Sequence, residues 1–340
     1  MGKRSRTILA GARQRAGAYR PRRSGRWEVL VALLGIVLAA FCGVLAYFMP
    51  AVLTAVRATG QVVSIPSPPA AAPTPVSPAS GQAFTVLLLG SDDDQKFDPK
   101  HVLTQSMILV RIDPASSQVT MLSIPRDLWV PVSSGGSAKI DAAYSDGGPS
   151  AAIATVQQNF HVHIDEYVWI GLLGLIKLID RLGGIDIVAS NPVMDDYYPA
   201  DINSSNPYGY ERVAVMPGPQ HLDGTTALQY VRSRHSDLEG DFARSQRQQQ
   251  VLLAVRAKAR QLSTADLPDI AASLSGELKT SMSLEKVTQL LPLAGKIDDP
   301  SAIHQIVLLS PYTSLGWVGD QSVVFANWNL VLPLVRQYFP

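Results

Sequence analysis

From residue 84 onward the chain alternates short apolar runs with longer stretches of helical periodicity. Phe84 to Leu89 is an apolar run stopped by Gly90, and Ser106 to Ile112 and Gln118 to Ile124 are further runs divided by Asp113-Pro114-Ala-Ser-Ser. All three predict strands, the last two a hairpin across that turn. Pro149 to Phe160 predicts a helix, Glu166 to Ile170 a strand, and Leu172 to Leu182 a helix, after which Gly183-Gly184 turns the chain into a strand at Ile185 to Ala189. Such alternation predicts an α/β fold in which helices cover a sheet. Asn191 to Pro219, rich in Pro, Asn, Tyr and Asp, shows little periodicity and reads as a long loop, either a functional flap or a surface excursion.

Two helices follow, over Asp223 to Val231 and Asp241 to Leu262. On the second, positions 244, 248, 251, 252 and 255 share one face and read Arg, Gln, Val, Leu, Val. The apolar end of that stripe is core. Arg244 and Gln248 therefore carry a buried stripe into the first turns, where a polar pair needs a salt-bridge partner or a ligand, and a helix N-terminus favours an anion. Beyond residue 265 the pattern predicts two more amphipathic helices, a strand near Ile306 to Leu309, and a closing helix near Asn327 to Tyr338.

Upstream of residue 84 the pattern changes character. Val29 to Met49 is 21 residues without a charge, long enough at about 1.5 Å per residue to span the roughly 30 Å of a bilayer core. Basic residues precede it (Lys3, Arg4, Arg6, Arg13, Arg15, Arg20, Arg22, Arg23, Arg26) and no acid does except Glu28 at its edge. The positive-inside bias then predicts a single-pass type II protein of the cell membrane, N-terminus in the cytoplasm, main domain extracytoplasmic. Cleavable leaders have shorter apolar cores. Prolines at 66, 68, 69, 73, 75 and 78 mark a semi-extended linker. The expected organisation is a basic cytoplasmic segment over 1–28, a transmembrane helix over 29–49, a Pro/Ser/Ala-rich linker over 50–83 and one domain over 84–340. Cys42, the single cysteine, lies inside the span, so the exported part has no disulfide and depends on its core.

Charge narrows the function. Residues 1–27 hold nine of the 29 basic residues, leaving 20 against 28 acids, near −8, for the remainder. Against that background Arg232, Arg234, Arg244 and Arg247 fall within sixteen residues. A localised basic site in a negative domain suits a discrete phosphate or carboxylate and excludes a broad nucleic-acid surface. No Gly-rich phosphate loop, His-Glu-x-x-His or Gly-x-Ser-x-Gly string is present. His161-x-His163 could chelate a metal from one side of a strand, but no third histidine or cysteine lies nearby in the sequence to complete such a site. Ser123-Ile-Pro125 ends a strand and leaves Arg126 and Asp127 just beyond the sheet, where ligands sit in α/β folds, although an adjacent Arg–Asp pair also suits a structural ion pair.

Six strings in order carry a resemblance: Val86-Leu-Leu-Leu-Gly90-Ser-Asp92, Ser123-Ile-Pro-Arg-Asp127, Lys139-Ile-Asp-Ala-Ala-Tyr144, Leu182-Gly-Gly-Ile-Asp186, Tyr230-Val-Arg-Ser-Arg-His235 and Asp241-Phe-Ala-Arg-Ser-Gln-Arg-Gln248. Together they resemble the LytR-CpsA-Psr family of membrane-anchored cell-wall phosphotransferases. The resemblance implies a mixed central β-sheet sandwiched between α-helices, with an apolar groove for a polyprenyl chain. It implies transfer of a glycopolymer from a polyprenyl-pyrophosphate carrier to peptidoglycan through a phosphodiester. It also implies that Arg126, Arg232, Arg234, Arg244 and Gln248 bind the pyrophosphate, with Lys139 a further contact, and that Asp92 positions a magnesium ion (Mg2+) or takes part in the chemistry. The implied partners are the lipid-linked polymer, peptidoglycan and the membrane.

The chain departs from the family's pattern at Asp94, Leu103 and Gln105, where that pattern has arginine, arginine and aspartate. A neutral amide at 105 cannot supply a carboxylate's charge to a hard cation or accept a proton. Three readings follow: an active transferase in which Asp93, Asp94 or Asp98 substitutes as ligand, a non-catalytic binder of lipid-linked pyrophosphate, or a wall-associated scaffold protein that keeps only the fold.

Overall fold

The three opening apolar runs form the middle of one sheet. In the computed structural model, which describes residues 82–91, 102–200, 202, 208–233, 241–296 and 302–340, β1 (Phe84–Ser91), β2 (Thr104–Asp113) and β3 (Gln118–Ile124) run antiparallel in turn. Successive side chains on a strand point to opposite faces. Leu87, Leu109 and Leu122, which are neighbours in register, are fully buried on one face, while Ile108, Val110 and Met121 form a separate apolar cluster. The sheet is mixed, as expected. β6 (Glu166–Ile170) pairs parallel to β1 and β12 (Ile303–Val307) parallel to β3, and β11 (Leu278–Thr280) closes one edge, giving six strands in the order β11-β6-β1-β2-β3-β12.

Helices α1 (Ala143–Phe160) and α7 (Trp328–Tyr338) contribute to the main core with Val156, Phe160, Val331 and Val335. Phe160 meets Trp328 edge-on with ring centroids 5.4 Å apart. The helix expected from Pro149 is the second part of α1: the backbone leaves helical geometry at Gly147 and Gly148, where φ is +65° at Gly148, and Pro149 restarts it. His161 then closes α1 in the left-handed conformation, and His163 sits 3.5 Å from Asp165. Two short hairpins, β4 (Trp129–Pro131) with β5 (Ser137–Lys139) and β13 (Thr313–Val318) with β14 (Gln321–Ala326), complete this side.

A second core joins α2 (Leu172–Arg181), β7 (Ile185–Ala189), β10 (Gly218–Leu222), α3 (Gly224–Arg232) and α4 (Asp241–Ala259) through Ile179, Ile185, Leu222, Ala227 and Val251. α4 is fastened to the sheet by a buried amide: Gln249 Nε2 donates to Ser123 Oγ at 2.9 Å and to the Ile306 carbonyl at 3.0 Å. α5 (Leu267–Ser273) and α6 (Leu284–Lys296) match the two late amphipathic helices.

One expectation fails. Residues 191–219 are largely not a loop: β8 (Val193–Pro199) and β9 (Tyr210–Val215) form an antiparallel hairpin, and β10 pairs with β7. Val193, Asp195 and Tyr198 are buried on β8, and Val213 and Val215 on β9. A register shift between Asp195 and Tyr198 breaks the alternation that would have marked a strand, and a buried aspartate disguises the core face. The segments assigned to cytoplasm and membrane, and the linker up to residue 81, lie outside the described residues. Among the described residues no helix is long and apolar enough to cross a membrane.

Candidate functional site

Between the sheet and the layer of α2, α3 and α4 runs a cavity of about 1080 Å3, its open mouth included. Its walls are Leu88, Ile108, Val168 and Ile170 from the sheet, Leu172, Leu175 and Leu178 from α2, Leu228 and Val231 from α3, and Val251, Leu252 and Val255 from α4. Polar groups gather at the lining residues Ser91, Gln105, Ser106, Arg232, Arg244 and Gln248. The five residues that share a face of α4 in the sequence, 244, 248, 251, 252 and 255, all line it.

The geometry of the polar end follows from backbone register. Gly90 pairs with Ser106 and Ser91 with Thr104, so Gln105 is an extra residue in β2, a bulge that sets its side chain at the cavity. A Cβ on Gly90 would stand 3.2 Å from that of Ser106, so the two strands are close here. Ser106 Oγ donates to Gln248 Oε1 at 2.9 Å, which ties β2 to α4 and orients the amide. Arg126 Nη1 donates to Gln105 Oε1 at 2.5 Å.

Arg126 stands one step behind the cavity. Pro125 ends β3, and Arg126 Nε lies 3.3 Å from Asp127 Oδ2 while Lys139 Nζ lies 2.6 Å from Asp127 Oδ1. The Arg–Asp neighbours form the structural ion pair, and Arg126 reaches Gln105 without lining the cavity itself. Lys139 does not line the cavity and is occupied by Asp127. Arg232 lines it and has its guanidinium 5.7 Å from the centre of the buried Tyr198 ring. Arg244 lines it and is only 5% exposed. Arg247 departs from the expected anion cluster: it is buried, donates to the Ser233 carbonyl at 2.5 Å, and does not line the cavity. Its place on α4 explains this, since residue 247 lies roughly 60° round the helix from 244, toward α3. Asp92 and Arg234 lie outside the described residues. Sequence reasoning passed over Ser91, Ser106 and Tyr198, for which only strand pairing carries a signal.

The position of Arg232 depends on how α3 starts. Asp223 Oδ1 accepts from the Thr226 backbone N–H at 2.7 Å, and Asp180 Oδ1 accepts from the Gly224 N–H at 2.7 Å. A Cβ on Gly224 would stand 2.2 Å from the Ile176 carbonyl oxygen, so only glycine lets α3 seat on α2. The hydrogen bonds from the Thr226 backbone and then its hydroxyl hold the Asp223 carboxyl below its ordinary value of 3.8. This contribution is present above pH 3.8 and is lost as pH falls through the lower folded value. Asp223→Ala is expected to cost about 1 kcal/mol at neutral pH by denaturant titration, a difference that shrinks in strong acid.

A cavity with apolar walls and guanidinium groups at its polar end suits an amphiphile with an anionic head, since a low-dielectric surround strengthens charge-assisted hydrogen bonds. The described lining residues include no carboxylate. Among the described residues no cluster of three or more His, Cys, Asp or Glu could hold a metal.

The model of the LytR_cpsA_psr family matches residues 56–322. The chain belongs to that family. This LytR_cpsA_psr protein is 32% identical over 220 residues to Biofilm regulatory protein A of Streptococcus mutans, covering 62% of this chain and 52% of the relative. It is 32% identical over 226 residues to the polyisoprenyl-teichoic acid–peptidoglycan teichoic acid transferase TagV of Bacillus subtilis, covering 66% and 52% respectively. The crystal structure of B. subtilis TagV has a TM-score of 0.62 at 26% identity, covering 76% of this chain and 96% of that one. The chain thus spans about half the length of these two relatives.

Proposed function

We propose that this chain is a membrane-anchored transferase that moves a glycopolymer from a polyprenyl-pyrophosphate carrier to peptidoglycan through a phosphodiester bond. One observation carries the reading: an apolar cavity of about 1080 Å3, its open mouth included, has Gln105, Arg232, Arg244 and Gln248 at its polar end, with Arg126 holding Gln105 from behind. The name of the TagV relative agrees with it.

In this reading the polyprenyl tail lies between the sheet and α4, and the pyrophosphate meets the guanidinium groups of Arg232, Arg244 and Arg234. A peptidoglycan hydroxyl attacks the phosphorus bonded to the sugar, the bridging P–O bond breaks, and polyprenyl phosphate leaves. Arginines serve this step because phosphoryl transfer is mainly positioning and charge neutralisation. Asp92, which directly follows the lining residue Ser91 in sequence, is the proposed acceptor of the hydroxyl proton. The described residues that line the cavity supply amide and hydroxyl oxygens and no carboxylate, so by themselves they do not make a magnesium site. Asp92 would hold magnesium, which would neutralise charge on the pyrophosphate.

The placement of the domains belongs to the same proposal: residues 29–49 span the membrane, 1–28 are cytoplasmic, and 50–83 link them to an extracytoplasmic domain over 84–340. An anchor confines the protein to the leaflet that holds its lipid substrate. A second reading, a binder of lipid-linked pyrophosphate without transfer, is favoured by Gln105, whose carbonyl is held by Arg126 where the family pattern has a carboxylate.

Release of polyprenyl phosphate separates the two. The full-length protein in detergent, given a polyprenyl-pyrophosphate-linked saccharide, peptidoglycan and magnesium, is expected to release it, and to stop when the divalent ion is chelated. Binding without release, with release appearing in Gln105→Asp, would make the chain a binder.

A further inference from the structure

On the other flank of α4 lies a second cleft of about 1410 Å3, its open side included. It differs in chemistry from the apolar cavity. Asn191, Gln246, Gln249, Gln250 and Gln305 bring five side-chain amides to it, with Tyr230 and Arg247, and its described lining contains no carboxylate.

Some of these groups hold the cleft in shape. Gln250 Nε2 donates to the Val188 carbonyl at 2.7 Å and its Oε1 accepts from Tyr230 Oη at 2.7 Å. Arg247 packs over the Tyr230 ring at 5.7 Å and donates to the Ser233 carbonyl. Asn191, Gln246 and Gln305 are exposed on its surface, and their side-chain amides have no hydrogen-bond partner among the described residues. Each amide offers both donor and acceptor, the pairing that a sugar hydroxyl or an N-acetyl group needs, and none carries charge.

We infer that this cleft is a saccharide-binding site. Amides on a supported frame satisfy hydroxyl groups at little electrostatic cost, whereas a phosphate or a nucleic acid needs more positive charge than one buried arginine provides. Its apolar floor, Leu253 and Val307, suits the C–H face of a sugar ring. Both flanks of α4 then meet carbohydrate chemistry: one takes a lipid-linked head group, as proposed above, and the other takes sugar rings. The saccharide is either the peptidoglycan acceptor or the polymer carried on the lipid. The inference rests on the cleft and stands whether or not transfer occurs.

The test is binding, read separately from turnover. Full-length protein in nanodiscs is titrated calorimetrically with a tetrasaccharide of alternating N-acetylglucosamine and N-acetylmuramic acid, and in a second arm with neutral oligosaccharides that lack N-acetyl groups. Binding in the first arm alone assigns the cleft to the acceptor, and binding in the second assigns it to the polymer. The double variant Gln246→Ala, Gln305→Ala is expected to weaken the saccharide that binds by about tenfold, the loss of two neutral hydrogen bonds. Polyprenyl phosphate, titrated as a control, keeps its affinity in that variant, which shows the fold and the apolar cavity intact. No saccharide binding in either arm, or binding that the double variant leaves unchanged, overturns the inference. Failed transfer with intact saccharide binding counts against the transferase and not against the cleft.

Discussion

Arg232→Ala is expected to lower polymer transfer by about 10^3-fold, the scale on which a single arginine facing the transferring phosphoryl group acts. The side chain lines the polar end of the cavity from the last turn of α3, and within the fold its guanidinium rests near the Tyr198 ring at 5.7 Å. Loss of that contact costs about 0.5–1 kcal/mol, so the variant remains folded and the fall in rate reports on chemistry. Arg232→Lys keeps the charge and loses the planar fork that matches phosphate oxygens in pairs, and it is expected to recover only part of the rate. Turnover measured at saturating lipid, with thermal unfolding alongside, checks both. A rate within tenfold of wild type would remove Arg232 from the site.

Leu252→Trp is expected to discriminate between substrates by tail length. Leu252 is partly buried on the cavity face of α4, opposite Ile108 and Val110 of the sheet, and an indole there fills space that the tail would take. Displacing about four methylene equivalents costs roughly 3 kcal/mol, a loss near a hundredfold for a long polyprenyl pyrophosphate. An analogue with a single isoprene unit keeps its affinity, since its head group meets the same arginines. Equal losses for both ligands would place the tail elsewhere.

The cavity face of α4 was legible because helical spacing is a property of one segment: 244, 248, 251, 252 and 255 fall on one side of any helix. The strands of the sheet centre were legible for the same reason. What depends on pairing between segments was not. Gln105 is visible as a departure from the family pattern, but its place on a bulge depends on how Ser91 and Gly90 pair with Thr104 and Ser106. Arg247 looked like one of four anion ligands, and only the packing of α3 against α4 sends it to the Ser233 carbonyl. The β8–β9 hairpin was hidden because Asp195 is buried on a face that sequence patterns assign to apolar residues. The amide-rich cleft draws on β7's exit, α3, α4 and β12, and no single segment announces it.

Transfer creates one new covalent link, a phosphodiester between the saccharide and peptidoglycan. Full-length protein is incubated with a polyprenyl-pyrophosphate-linked saccharide and uncrosslinked peptidoglycan, the peptidoglycan is digested with a muramidase, and the fragments are weighed by mass spectrometry. The predicted result is a muropeptide heavier by one saccharide phosphate, formed in step with polyprenyl phosphate. Unmodified muropeptides alongside intact, protein-bound lipid carrier would contradict it.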